Sequence, residues 1–138
     1  MKRNNLYWFA PAVIWGLVIL TLTSLPNLKP PPLVFRLEDK MVHFFVYFIF
    51  GLLLIRAWRR GEVRNTKSAL FKMLLFGAPF ALLDELHQTC IPGRFCDIWD
   101  AAADLAGIFA AALAFPFAHS WFSRRKKSLL AVFIDDSD

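Results

Sequence analysis

The sequence predicts an all-α protein, a small transmembrane bundle of four helices with both termini on the cytoplasmic side. Three observations predict it. Four apolar runs of about spanning length divide the 138 residues, 57% of which are hydrophobic, with a mean hydropathy of +0.46. An average soluble domain is roughly 45–50% apolar, so the excess points to helices that face lipid. The sixteen Lys and Arg residues fall in short clusters between those runs, which is the pattern of a membrane topology signal. The net charge of +5 and the pI near 9.6 would suit nucleic acid if they formed one basic face. Clustered as they are, they do not, and no nucleic-acid partner is expected.

The first run, Leu6 to Leu25, follows a short polar start with Lys2 and Arg3. It lacks a small-residue cleavage site and continues to a spanning length, so it reads as a retained helix and not as a signal peptide. Tyr7, Trp8 and Trp15 suit an interface belt, and Pro11 lies in the first turns, where its cost is small. Pro26 and Pro30–Pro32 then impose an extended loop. The second run extends from Glu38 to Trp58 and ends in a basic segment with Arg56, Arg59, Arg60, Arg64 and Lys67. The third spans Ala69 to about Leu86, with Pro79 expected to kink it. Pro92-Gly93 marks a turn in the next loop. The fourth is Ala-rich, from about Asp97 to Phe117, with Ala106, Gly107 and Ala110–Ala112 permitting close helix contact. Residues 1–127 read as one membrane domain, and 128–138 as a short tail expected to be mobile.

Charge sets the topology. Grouping the N-terminus, residues 56–72 and the C-terminus on one side collects Lys2, Arg3, Arg56, Arg59, Arg60, Arg64, Lys67, Lys72 and Arg124–Lys127, twelve of the sixteen basic residues. Positive charge marks the cytoplasmic face. The 26–40 and 87–96 loops then share the extracytoplasmic face with seven of the eleven acids: Glu38, Asp39, Asp84, Glu85, Asp97, Asp100 and Asp104. The expected location is the cell membrane, with a multi-pass chain.

Residues three or four apart share a helix face. Asp39, His43 and Tyr47, with Lys40 alongside, form one polar stripe. Asp84, His87 and Gln88, with Glu85, form a second. Asp97, Asp100 and Asp104 form a third. Ionisable groups at a membrane segment are costly without a partner, a cavity or a function. Stripes at similar depth therefore predict a shared pocket. In the catalytic reading, His43 or His87 transfers a proton while Asp84, Glu85 or Asp100 orients or shares it. In the binding reading, Lys40, Tyr47, Gln88, Arg94, Asp97 and Asp104 hold the ligand, with Lys40 and Arg94 on a phosphate or carboxylate. The bland reading is a structural network that pins helix ends. Two His and several carboxylates could also ligate zinc or manganese. Without HExxH or a comparable spacing, a divalent metal is not favoured and the cofactor is left open. Cys90 and Cys96 are equally compatible with a disulfide around Arg94 and with two separate thiols.

Ser24-Leu25-Pro26, then DKMVHFFVYFIFG at 39–51, then DELHQTCIPGRFCDIWDAAADLAG at 84–107 together resemble the VanZ-like integral membrane proteins. Asp39, Lys40, His43, Tyr47, Asp84, Glu85, Gln88, Pro92, Gly93, Arg94, Asp97, Asp100, Asp104 and Gly107 fall on that family's pattern. The resemblance implies a multi-helix membrane protein of the cell envelope. The family's namesake is associated with resistance to the glycopeptide teicoplanin, and nothing in this chain ties it to resistance. The expected function is an extracytoplasmic polar pocket that binds or modifies an anionic lipid or envelope precursor, by hydrolysis or group transfer at a headgroup if it is an enzyme. The alternatives are a non-catalytic accessory protein and, more weakly, an ion path.

Overall fold

The structure is a computed structural model, which describes residues 6–26, 37–59 and 66–135, with side chains described only as far as Phe117. Lys2, Arg3, the Pro30–Pro32 loop, Arg60, Gly61, Arg64 and Asn65 lie outside the described residues, as do the side chains of His119 and Arg124–Lys127. Every regular element described is a helix: α1 Leu6–Thr23, α2 Leu37–Arg59, α3 Thr66–Gln88 and α4 Ile98–Asp135. α1 remains helical through Pro11, α3 through Pro79 and α4 through Pro116.

The fourth helix departs from the expected boundaries. Where a tail was expected from residue 128, the backbone stays helical to Asp135. At ~1.5 Å per residue its 38 residues extend about 57 Å, well beyond an apolar layer of about 30 Å. Its apolar portion is Ile98–Phe117.

α2 is the centre of the bundle and touches all three other helices. Trp15 Nε1 donates to Val46 O at 3.0 Å, and Phe9 packs edge-on to Trp58, so α1 runs antiparallel to α2. Tyr47 reaches Asp84 while Trp58 meets Phe76, so α3 is antiparallel to α2 as well. α2 and α4 run in the same direction, with Lys40 beside Asp100, His43 beside Asp104 and Gly51 beside Ala111. Glycine makes that contact possible. A Cβ on Gly107 would fall on Phe44 O and 2.9 Å from Phe48 N, both backbone atoms, and one on Gly51 would lie 2.7 Å from Ala111 Cβ. Between lipid-facing helices there is little hydrophobic drive, so such close approach supplies the van der Waals attraction instead.

Large apolar side chains point outwards from every helix, among them Ile14, Leu17, Phe45, Phe71, Leu83 and Leu113. A soluble monomer rarely exposes apolar area on this scale. Glu38–Arg59 and Ile98–Phe117 are long and apolar enough to cross a membrane, while Tyr7–Thr23 is apolar but shorter. The core between the helices holds Tyr47, Ile55, Met73 and Ile108.

Candidate functional site

The site lies at one end of the bundle, where α1 ends, α2 begins, α3 ends and α4 begins. Three features of local sequence build it. Asp97 caps α4: its Oδ1 accepts from Trp99 N at 2.9 Å and its carbonyl accepts from Ala101 N at 3.1 Å, which satisfies donors that the helix start leaves open. Ile91-Pro92-Gly93-Arg94 is a tight turn closed by Arg94 N to Ile91 O at 3.1 Å. Proline presets its first corner, and the second needs a positive φ, which Gly93 adopts at 82°. That turn brings Arg94 back to the end of α1, where Nε donates to Leu25 O and Nη2 to Leu22 O, at 3.3 and 3.2 Å. A cation suits the carbonyl end of a helix.

Most of the residues expected at the site do meet there. Asp84, 2% exposed, accepts from Thr23 Oγ1 and Tyr47 OH, each at 2.8 Å. Glu85, equally buried, accepts from Asp97 N at 2.6 Å and from Gln88 Nε2 at 3.2 Å. Gln88 Oε1 in turn accepts from Arg94 Nη1 at 3.1 Å. Lys40 Nζ pairs with Asp97 at 2.7 Å and also with Asp100. His43 Nδ1 lies 2.9 Å from Oδ1 of the fully buried Asp104. Thus the α2 stripe reads against the α4 stripe in parallel register, Lys40 to Asp97 and Asp100, His43 to Asp104.

His87 stands apart from these pairs. It is half-buried, and its Nδ1 has no hydrogen-bond partner among the described residues. Thr23 belongs to the site although the motif reading passed over it. The available signal was the group of hydroxyls Thr21, Thr23 and Ser24 at the polar end of an apolar run. Cys90 and Cys96 are free and exposed in this structure.

A cleft of about 220 Å3 opens between α1 and α2. Thr23, Asp39, His43, Tyr47 and Arg94 supply its polar wall, and Ile19, Leu22, Val42 and Val46 its apolar one. His43 is held from behind by Asp104, which leaves Nε2 as the uncommitted nitrogen of a ring lining the cleft. Such a carboxylate–imidazole pair fixes the ring and favours its proton-accepting role. The Lys40 ammonium, hydrogen-bonded to Asp97, holds that carboxyl below the usual carboxylate range.

Charge does not balance locally. Among the described residues, Asp39, Asp84, Glu85, Asp97, Asp100 and Asp104 share this end of the bundle with two permanent cations, Lys40 and Arg94. One acceptor is left over: Asp104 Oδ2 is buried with no partner among the described residues.

A membrane-embedded helical protein with a polar site at one end of the bundle is thereby defined. A family model described as VanZ/LLP1 matches residues 6–122, and the chain belongs to that family. Comparison with curated proteins gives no match, and comparison with solved structures gives none either.

Proposed function

We propose that this protein is a multi-pass component of the cell envelope whose cleft takes the headgroup of an anionic lipid or envelope precursor. The observation that carries this reading is the cleft itself, with Arg94 and His43 on one wall and aliphatic side chains on the other. An amphiphile has the same two-sided chemistry. Three of the five guanidinium donors of Arg94 go to Leu22, Leu25 and Gln88, so two remain to fork onto a phosphate or carboxylate. Should the site catalyse, hydrolysis or group transfer at the headgroup is the class it suits, with the Asp104-oriented His43 as base.

The four helices cross the membrane with both termini inside and the cleft on the extracytoplasmic side, as the excess of basic residues at the opposite end implies. Cys90 and Cys96 are exposed in the loop next to the cleft. A membrane-impermeant maleimide added to intact cells therefore labels them, and labelling only after permeabilisation inverts the topology.

Lipid profiling tests the ligand. Arg94→Ala and His43→Ala reproduce the lipid or precursor changes caused by deleting the protein, at unchanged protein level. A second reading, a structural pin for helix ends, draws on how fully Asp84 and Glu85 are satisfied by internal donors. On that reading the same variants lower protein abundance while every lipid stays at its wild-type level.

A further inference from the structure

We infer that the buried group His43, Glu85 and Asp104 is a binding site for one divalent transition-metal ion, zinc or manganese. His43 offers a ring nitrogen, Glu85 and Asp104 a carboxylate oxygen each, and these three atoms lie within 4.8 Å of one another. They come from three different helices, α2, α3 and α4, so no sequence spacing announces them. One imidazole and two carboxylates form a donor set that both ions accept.

Two further observations point the same way. Asp104 has 0% exposure, yet its Oδ2 has no hydrogen-bond partner among the described residues. An orphaned carboxylate oxygen in a buried site costs free energy unless something positive or a proton meets it. Among the described residues the surroundings also hold six carboxylates against two permanent cations, and a second triad, Asp39, His43 and Asp100, shares His43 with the first. A divalent ion supplies both the missing partner and the missing charge, with His43 acting as a ligand instead of as the imidazole partner of Asp104. It also removes the repulsion that these carboxylates exert on an anionic headgroup in the adjoining cleft. The ion site itself rests on the triad and stands whether or not the cleft takes a lipid.

The test uses the full chain in detergent or nanodiscs, with Cys90→Ser and Cys96→Ser to remove exposed thiols that would bind zinc adventitiously. After chelator treatment, zinc and manganese are titrated back, bound metal is measured by elemental analysis, and thermal unfolding is followed by circular dichroism. The expected result is about one ion per chain, as one such ligand set holds, with a higher unfolding midpoint in its presence. Asp104→Asn and Glu85→Gln each weaken binding by about tenfold or more, the scale on which metal sites respond to disturbed ligation. For the manganese form, spin-echo spectroscopy shows nitrogen coupling that disappears in His43→Ala. Wild-type protein that binds neither ion and shows no midpoint shift overturns the proposal. So does stoichiometric binding that Asp104→Asn and Glu85→Gln leave intact, since the ion then sits elsewhere. A variant that does not fold leaves the decision to the wild-type titration and the nitrogen coupling.

Discussion

At one end of the bundle, Thr23, Tyr47 and Asp84 join three helices through two 2.8 Å hydrogen bonds to a buried carboxylate. At the other end, Trp58 gathers Phe9 edge-on, Phe76 at 5.5 Å and the Lys72 ammonium at 5.1 Å, while Arg56 lies over Trp8. Between these ends, α2 and α4 meet through small residues, Gly107 against the Phe44–Phe48 backbone and Gly51 against Ala111. Aromatic and cation–π contacts tolerate adjustment, each contributing about 0.5–1.5 kcal/mol. A buried carboxylate does not, because every lost donor leaves charge uncompensated. The polar end is thus specified atom by atom and the aromatic end only by shape. Substitution should separate the two ends, with the glycine seam as the limiting case.

The largest effect is expected at that seam. In Gly107→Ala the new methyl meets backbone atoms of Phe44 and Phe48, which cannot swing aside, so α2 and α4 must separate. Overpacking of this kind costs about 1–3 kcal/mol and occasionally more, and Gly107→Ala should fall at or above the top of that range. Gly16→Ala, whose methyl would meet only side-chain atoms of Phe50 and Phe80 at 3.5–3.6 Å, should be nearly neutral. Thermal unfolding in detergent checks both. Equal midpoints for the two variants would show that the seam is looser than its geometry.

Next comes the buried carboxylate. Tyr47→Phe removes one of the two hydroxyls on Asp84 and Thr23→Val the other. A hydrogen bond to a charged group is worth about 1.5–3 kcal/mol, so each variant should lose roughly that amount. The pair should not add, because both serve one carboxylate. Additive losses in a double-mutant cycle would argue that Asp84 has other means of support. A smaller loss, about 1 kcal/mol, is expected for Arg94→Ala, whose three acceptors, the carbonyls of Leu22 and Leu25 and Gln88 Oε1, lie at the half-exposed rim. Arg94→Lys should not restore it, since an ammonium cannot reproduce the planar fork. Full rescue by lysine would reduce Arg94 to a point charge.

How much of this the sequence announces differs between the same regions. Spacing placed Asp39, His43 and Tyr47 on one face with Lys40 alongside, and Asp97, Asp100 and Asp104 on another, and the structure brings Lys40 and His43 against the second set. Pro92-Gly93 correctly marked the turn that carries Arg94. The register between stripes was not legible, because helices apolar all round carry no periodic face that tells which side meets which neighbour. The topology expected from charge already ran α2 and α4 in one direction, but nothing in the spacing says that these two helices lie side by side. Thr23 escaped for the same reason: a hydroxyl in an apolar run is informative only when its partner across the bundle is known. His87 lies on the Asp84 stripe by its i, i+3 spacing, yet its Nδ1 finds no partner among the described residues, which spacing along one helix could not tell. Among the described side chains the fourth apolar run ends where the sequence put it, at Phe117, but the helix itself continues to Asp135, because a basic stretch such as SRRKK can stop the membrane span without stopping the helix.

The smallest effect belongs to the most exposed pair, Lys40 with Asp97, and it is read through pH. The Asp97 carboxyl is held below its usual value by the Lys40 ammonium. A group whose folded pKa is depressed stabilises the fold above its unfolded pKa, about 3.9 for an aspartate. That contribution is lost as the pH falls through the folded value. Asp97→Asn isolates the charge, because asparagine caps a helix about as well as aspartate does and the backbone N–H to Glu85 is retained. At neutral pH the variant should unfold at a slightly lower temperature than wild type. The gap should begin to close as the pH falls past about 4, the unfolded value, and go on closing below it, and it should also narrow in high salt, since 42% of the Asp97 side chain is exposed. Lys40 keeps Asp100 throughout, which is why the loss stays small. A gap that persists unchanged to pH 3 would mean that Asp97 acts through its cap alone, and the polar end would then owe less to charge than to hydrogen bonds.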